Sequence, residues 1–281
     1  YGARRRSPQR LVAERANEPS HPASVRNSLP SAGATTARSA SASIHAPWTL
    51  RRRAARSVLA ARLNPPDGAL ADLLQATKLD PKQWRYGKSL AEDYAARPRE
   101  QYDKALQIAR SYYEKSPDNY QLGALYAKTL LLNKQYKQTS ELLAKLNLLP
   151  FEGSTEGRVL YKEAQLMLAV EHLKAGDYAQ ALHFIEAAKH WPENLGAGKP
   201  YPEDVDERLE DWLAALSYEK LNRPSDAVAA LNRIAAFKNR RFDANTLVSA
   251  LALQKLGRQQ DAEKLFADWA ARRGDGPLLE W

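Results

Sequence analysis

The chain has 281 residues, no cysteine and a formal net charge of +9 at pH 7. The absence of cysteine excludes disulfides and cysteine-ligated metal sites, and no apolar run approaches the roughly 18 to 20 residues that a transmembrane segment needs. The positive charge lies at one end: residues 1–63 carry 12 Arg, no Lys and two acids, whereas the rest of the chain has a net charge of −1. The greater part of the chain therefore shows no electrostatic preference for nucleic acid or an anionic membrane.

Residues 1–65 are rich in Arg, Ser and Ala and lack hydrophobic periodicity, which predicts a disordered segment. Only residues 49–63 show a weak helical face. Three origins remain open for the segment: an organellar transit peptide, a basic arm for anionic partners, or sequence that is not native coding sequence. We favour the last, because Arg displaces Lys completely there, while the remainder of the chain uses both.

Residues 175–178, with the sequence Ala-Gly-Asp-Tyr, are typical of the bend inside a helical hairpin. Gly176 supplies the backbone freedom that ends one helix, Asp177 can cap the next, and Tyr178 begins an apolar stripe at helical spacing. One hairpin cannot bury its own stripe, so neighbours of the same kind are expected along the chain.

A small residue three positions after this bend recurs along the chain and marks the neighbours. It is found at Ala69, Ala105, Thr139, Ala181, Ala227 and Ala262. Successive positions are 36, 34, 42, 46 and 35 residues apart, so two intervals are lengthened by insertions. Twelve residues before each of the last four comes a second small residue, where paired helices are expected to approach most closely: Ala127, Ala169, Ala215 and Ala250.

This pattern resembles the tetratricopeptide repeat (TPR) family, whose period is about 34 residues, and the resemblance covers residues 66–281. The best match is 174–188, and residues 79–81 and 116–119 match the family's turn between repeats. The resemblance implies an all-α fold, a right-handed superhelical array of helical hairpins that forms an α-solenoid. Residues 69–80 read as a second helix without a good first helix, so we expect the chain to be a fragment that lacks upstream repeats.

Five hairpins are predicted, at 83–117, 120–149, 158–190, 205–237 and 243–272. In the fourth, Ser225 or Asp226 is expected to cap the second helix. The C-terminal Leu278, Leu279 and Trp281 are expected to fold back over the last hairpin.

Two insertions interrupt the period, near 150–157 and 191–204. The first is interpreted as a surface loop that lengthens one joint. The second is more distinctive, because its Gly and Pro residues prescribe an unusual backbone path and its large side chains can hold it against the array. A structural role is favoured for it over a binding role. The residues singled out in it are Trp191, Pro192, Asn194, Leu195, Gly196, Gly198, Lys199, Pro200 and Tyr201.

Residues 190–202, followed by 206–213, also resemble the C-terminal repeat region of large bacterial proteins with an N-terminal domain of unknown function. That resemblance implies an upstream domain, thought to be β-rich and carbohydrate-related, and no established activity. It favours the bacterial cytoplasm, although the compartment is otherwise unknown.

No phosphate loop, nucleophile elbow or zinc motif occurs, so no enzyme activity, cofactor or metal is expected. The histidines of the array, His172, His183 and His190, are not spaced as a ligand pair. An acidic run is interpreted as a solvated helix N-terminus, where acids favour the helix dipole. It comprises Glu203, Asp204, Asp206, Glu207, Glu210 and Asp211.

The function predicted from these features is a protein–protein interaction scaffold that binds a peptide or partner domain in a groove lined by the first helices. The expected lining, apolar with scattered lysines, suits an apolar or mildly acidic ligand, and one candidate is an upstream domain of the same chain. It comprises Leu125, Lys128, Leu132, Met167, Val170, Lys174, Trp212, Leu213, Leu216, Lys220, Leu251 and Lys255. The alternatives are an accessory module of a carbohydrate-active protein and, less favoured, nucleic-acid binding through residues 1–65.

Overall fold

The structure is a computed structural model that describes residues 66–151, 153–238 and 243–273. The predictions made for residues 1–65 and for the C-terminal tail lie outside the described residues. Within the described ranges every regular element is helical, eleven α-helices and two short 3₁₀ helices, and no strand occurs.

The helix bounds agree with the predicted hairpins to within three residues, except that the helix ending the second hairpin stops at Leu143, six residues before the predicted 149. The α-helices are α1 Pro66–Leu79, α2 Trp84–Ala95, α3 Tyr102–Lys115, α4 Tyr120–Leu132, α5 Tyr136–Leu143, α6 Glu156–Ala175, α7 Tyr178–Lys189, α8 Arg208–Lys220, α9 Pro224–Ala236, α10 Ala244–Lys255 and α11 Gln259–Arg273. The 3₁₀ helices are Glu193–Leu195 and Pro202–Asp204, and both lie in the second insertion.

Consecutive helices pack in pairs, α2 with α3, α4 with α5, α6 with α7, α8 with α9 and α10 with α11. Each second helix also packs on the first helix of the next pair, and α1 packs on α2 in the same way. Successive first helices touch as well, α2 with α4, α4 with α6 and α8 with α10. This is the arrangement expected of an α-solenoid, in which each repeat contacts only its neighbours.

The small residues that marked the repeat occupy the close approaches between helices. Five of the six second-helix positions are fully buried, and the sixth, Ala227, is 3% exposed. All four first-helix alanines are fully buried. At Thr139 the extra hydroxyl donates a hydrogen bond to the Gln135 carbonyl of its own helix at 2.9 Å, so it needs no partner across the interface. The predicted register and the helical fold class are confirmed.

The bend at 175–178 has the predicted chemistry. Gly176 has a φ of +79°, in the left-handed region that favours glycine, and ends α6. The Asp177 side chain then accepts a hydrogen bond from the Gln180 amide at 3.2 Å and caps α7. The cap predicted for α9 was wrong: this helix starts with Pro224 directly after Arg223 and has no side-chain cap.

The largest apolar core lies around α4 to α7. Helix α4 is buried along most of its length, as its apolar sequence predicted, because it is packed between neighbouring helices on two sides. The core also includes Leu195, which belongs to the second insertion and is fully buried. Its buried members are Ala127, Leu131, Tyr136, Leu143, Leu146, Leu160, Ala164, Leu168 and Leu195.

Candidate functional site

The two insertions, about 40 residues apart in the chain, pack against each other. The amide of Leu148 donates a hydrogen bond to the carbonyl of Asn194 at 2.8 Å. The Asn194 side chain makes two further hydrogen bonds: its Nδ2 donates to the carbonyls of Leu143 at 3.0 Å and Leu146 at 2.7 Å. Leu143 is the last residue of α5, where helix geometry leaves the carbonyl without a partner, and Leu146 follows three residues later. The second insertion therefore caps α5 and holds the start of the first insertion.

Two glycines allow the close approach of the insertions. Gly196 has a φ of +66°, and a Cβ there would lie 2.6 Å from the Leu148 oxygen and 3.1 Å from the Leu149 carbonyl carbon. At Gly157, in the first turn of α6, a Cβ would lie 2.5 Å from Leu148 Cδ1 and 2.8 Å from the Leu195 oxygen. A Cβ at either position would force the atoms opposite to shift, so the observed approach of the two insertions over α6 depends on glycine.

Held in this way, the first insertion lies beside the first helices and forms one wall of a pocket of about 250 Å³. The other walls come from three successive first helices, α2, α4 and the start of α6. The lining residues are Lys88, Glu92, Tyr120, Gln121, Ala124, Leu125, Lys128, Leu148, Leu149, Phe151, Ser154, Glu156 and Gly157. The pocket thus sits on the face that the sequence predicted to bind a partner.

The pocket has an apolar interior and an electrically balanced rim. Leu149 and Phe151, on the insertion, are 59% and 68% exposed, and both line this pocket. On the rim, Lys88 pairs with Glu92 at 2.5 Å and Lys128 pairs with Glu156 at 3.6 Å. Each lysine therefore has an acidic neighbour, and neither is an uncompensated charge that would favour an anionic ligand.

The predicted groove residues are spread over four first helices, and only two of them, Leu125 and Lys128, line the pocket. The apolar members on α4, α6, α8 and α10 other than Leu125 are half-buried, and the lysines are exposed. On the last two first helices, Lys255 pairs with Glu219 at 2.7 Å and lies 5.9 Å from the centroid of the Trp212 ring. Ligand contact by the remaining members stays a prediction.

The residues singled out in the second insertion divide into two groups. Those up to Gly196 are packed: besides Asn194 and Leu195, the Trp191 ring lies 4.6 Å from the Arg158 guanidinium carbon, and Arg158 donates to the Ala188 carbonyl at 2.7 Å. The later ones face solvent, with Tyr201 75% exposed. That second group comprises Gly198, Lys199, Pro200 and Tyr201. Pro192 is half-buried.

The interpretation of the acidic run as solvated was wrong for its last two members. Glu210 is fully buried and Asp211 is 5% exposed, although both lie in the first turn of α8 as expected. Glu210 pairs with Lys162 of α6. Asp211 pairs with Lys189 at 2.8 Å and with Arg233 at 2.7 Å. These ion pairs join α8 to α6, α7 and α9.

Burial and pairing compete in this charge cluster. Burial alone would lower the pKa of Lys189, but its hydrogen bond to Asp211 and the nearby acids outweigh burial and raise the pKa. The pKa of Arg158 is lowered, chiefly by burial. The sequence shows basic residues on α6 and α7 and acids at the start of α8, but it does not show that they form ion pairs. Only the fold brings the two sets together.

The histidines do not form a site. His172 stacks on Phe184 with ring centroids 5.2 Å apart, and its Nδ1 lies 3.3 Å from an Asp177 carboxylate oxygen. His183 and His190 are exposed. The described ranges contain no group of three or more His, Asp or Glu side chains placed to hold a metal ion. None of the helices in those ranges has the length and apolar character that crossing a bilayer requires.

Comparison with solved structures supports the fold alone. No protein-family model matches the chain. The crystal structure of PilW, a type IV pilus biogenesis factor, matches with a TM-score of 0.51 at 18% sequence identity, over 83% of this chain and 97% of PilW. The chain has the tetratricopeptide repeat fold. A tetratricopeptide repeat protein from Parabacteroides merdae matches more weakly, with a TM-score of 0.48 at 12% identity over 83% of this chain and 82% of its own length.

Proposed function

We propose that this TPR array is a protein-interaction scaffold whose pocket receives one large, uncharged apolar side chain from an extended segment of a partner protein. The observation that carries the proposal is the exposure of Leu149 and Phe151 on the wall of an apolar pocket between first helices. The face of first helices is where solenoids of this type commonly bind extended chains, because it is concave and continuous from repeat to repeat.

The pocket's size selects the kind of side chain. Its volume is about 250 Å³, and a cavity of about 150 Å³ already holds benzene. A phenyl or indole ring therefore has room to enter. The rim selects against charge, because a charged side chain would have to compete with Lys88 and Glu92, or with Lys128 and Glu156, for partners that these residues already have.

The gain available from the wall is sufficient for a measurable interaction. Full burial of a Leu or Phe side chain is worth about 1.5 to 3 kcal/mol. Because Leu149 and Phe151 are each about three-fifths exposed or more, covering both contributes roughly 2 to 4 kcal/mol, which corresponds to about a 30- to 1,000-fold gain in affinity.

The proposal is tested by selecting peptides from a phage-displayed random library on the full chain. We expect the selected peptides to share one aromatic or large aliphatic residue. They should lose binding to the double variant Leu149→Asp, Phe151→Asp, because two carboxylates on the wall must then be desolvated by an apolar anchor. Affinities are measured by fluorescence polarisation with labelled synthetic peptides.

The control is Val228→Asp, which places one such carboxylate at an apolar position that is 48% exposed on the second helix α9. This variant should bind the selected peptides as the wild-type chain does. Failure to enrich any peptide sequence, or equal binding by the double variant, would contradict the proposal.

A further inference from the structure

We infer that the second insertion is the specificity-determining element of the proposed pocket, with Asn194 and Gly196 as positioning residues that set where the wall at 148–151 stands. The inference rests on the proposed function, because it concerns the same pocket. Neither residue lines the pocket. They act through the backbone of the residues that do.

The wall is attached to the second insertion through Asn194. Among the described residues, one hydrogen bond connects residues 147–151 to a distant part of the chain. The Leu148 amide donates it to the Asn194 carbonyl. The Asn194 side chain fastens the residues just before the wall, through the carbonyls of Leu143 and Leu146. One asparagine thus holds the approach to the wall and the first of its pocket-lining residues.

The backbone of the second insertion lies directly behind the wall. Gly196 faces the backbone of residues 148–150, and the Pro150 nitrogen would be 3.1 Å from a Cβ at this position. The backbone of the wall therefore has no room to retreat toward the second insertion. Because the contact is between backbones, the position of the wall does not adjust through side-chain rotation as most pocket walls do.

The second insertion is itself rigid. Leu195, between the two positioning residues, is fully buried in the core of α4 to α7. Trp191, at the start of the insertion, packs on the guanidinium of Arg158. The backbone around Gly196 is therefore fixed to helices α6 and α7. The insertion, and not the ligand, sets the width of the pocket.

The test uses the peptide selected above, made in four forms with Ala, Leu, Phe or Trp at its apolar position. Dissociation constants are measured by fluorescence polarisation against the full chain and its Asn194→Ala variant. Loss of the two side-chain hydrogen bonds should weaken the best peptide about tenfold and reduce the differences among the four forms. The second variant is Gly196→Ala, whose Cβ displaces the wall directly and should change the order of preference.

The control for a general loss of stability is Thr246→Ala. Thr246 accepts a hydrogen bond from the Asp243 amide at 3.1 Å in the capping box of α10, in the last hairpin. This variant should lower the melting temperature and leave all four dissociation constants within about twofold of wild type. As a second readout, hydrogen exchange at the Leu148 amide should already be slow in the wild-type chain without peptide, because this amide is bonded to the Asn194 carbonyl, and it should be faster in Asn194→Ala.

The outcomes separate the inference from the proposed function. If peptides bind and the double variant Leu149→Asp, Phe151→Asp abolishes binding, but Asn194→Ala and Gly196→Ala keep the wild-type affinities and order of preference, the inference is overturned and the proposed function stands. Equal effects of Thr246→Ala would also overturn it. Absence of any peptide binding overturns both.

Discussion

Replacing Leu195 with alanine measures how far the second insertion belongs to the core. Leu195 is fully buried and packs within the cluster that contains Leu143, Leu146 and Leu160. Removing most of a buried leucine side chain costs about 2 to 5 kcal/mol, and the cost is high where neighbours cannot collapse into the space. The neighbours here are held on α5, its extension and α6, so we expect a loss of about 3 kcal/mol.

For an array of this size, that loss lowers the melting temperature by roughly 6 to 12 °C. The measurement is thermal and urea unfolding of the full chain, followed by far-ultraviolet circular dichroism. The control is Tyr201→Ala, at a residue of the same insertion that is 75% exposed, and it should change stability by less than about 0.5 kcal/mol. If Leu195→Ala melts at the same temperature as the wild-type chain, the insertion is not part of the core and does not anchor the wall.

Two further predictions follow from backbone conformation and from charge. Gly176→Ala should cost about 1 to 2 kcal/mol because φ is +79°. Gly68→Ala lies in the first turn of α1 and no atom lies within 4 Å of the added Cβ, so it should stabilise, by less than the roughly 1 kcal/mol expected in a helix interior. Thermal shifts of the same sign in the two variants would refute this. Burial alone would raise the pKa of Asp206, but hydrogen bonds from Arg208 and Asn245 outweigh burial and hold this pKa below its usual range. The stabilisation by Asp206 is therefore present above the usual carboxyl range, about pH 4, and is lost as the pH falls through the lowered pKa. Melting curves over this range should show a weaker acid dependence in Asp206→Asn.

Most of the helical array could be predicted because its determinants are local. A small residue at a fixed distance from a bend reports a close helix approach, and that relation holds at every repeat, including Thr139 and Ala227. The bend itself was readable because Gly176 and Asp177 act within one turn of their own positions. The α9 cap was misjudged because the side chain of Asp226 pairs with Arg223 at 2.7 Å instead of capping the helix.

The pocket could be predicted only in part, because it depends on contacts between distant residues. The sequence placed Leu125 and Lys128 on the partner-binding face by their helical register. It assigned the two insertions separately, since nothing in the pattern around Asn194 indicates that its side chain reaches carbonyls 48 and 51 residues earlier. A contact of that kind is set by the path of the chain after α5, which periodicity does not describe.

The charge cluster was missed for a similar reason. Acids at the start of a helix are ordinarily exposed, and the helix dipole explains them without further partners. Between α6 and α8, however, Lys162 meets Glu210, and Lys162 also donates to the Asp206 carbonyl at 3.3 Å. The residues that follow the second insertion are thereby joined to α6 by polar contacts. The longer interval between the third and fourth hairpins is thus bridged by these contacts of Lys162.

The energetics of the wall explain why the two insertions belong together. If residues 148–151 were free and became ordered on binding, fixing four backbone residues would cost about 4 to 8 kcal/mol. Covering Leu149 and Phe151 returns only roughly 2 to 4 kcal/mol, so a free segment would not bind through these side chains. The contacts from Asn194 and Gly196 order the segment during folding, and the apolar side chains in front of it are then available to a partner without that cost. Under the proposed function, the second insertion is therefore needed for binding although none of its residues lines the pocket.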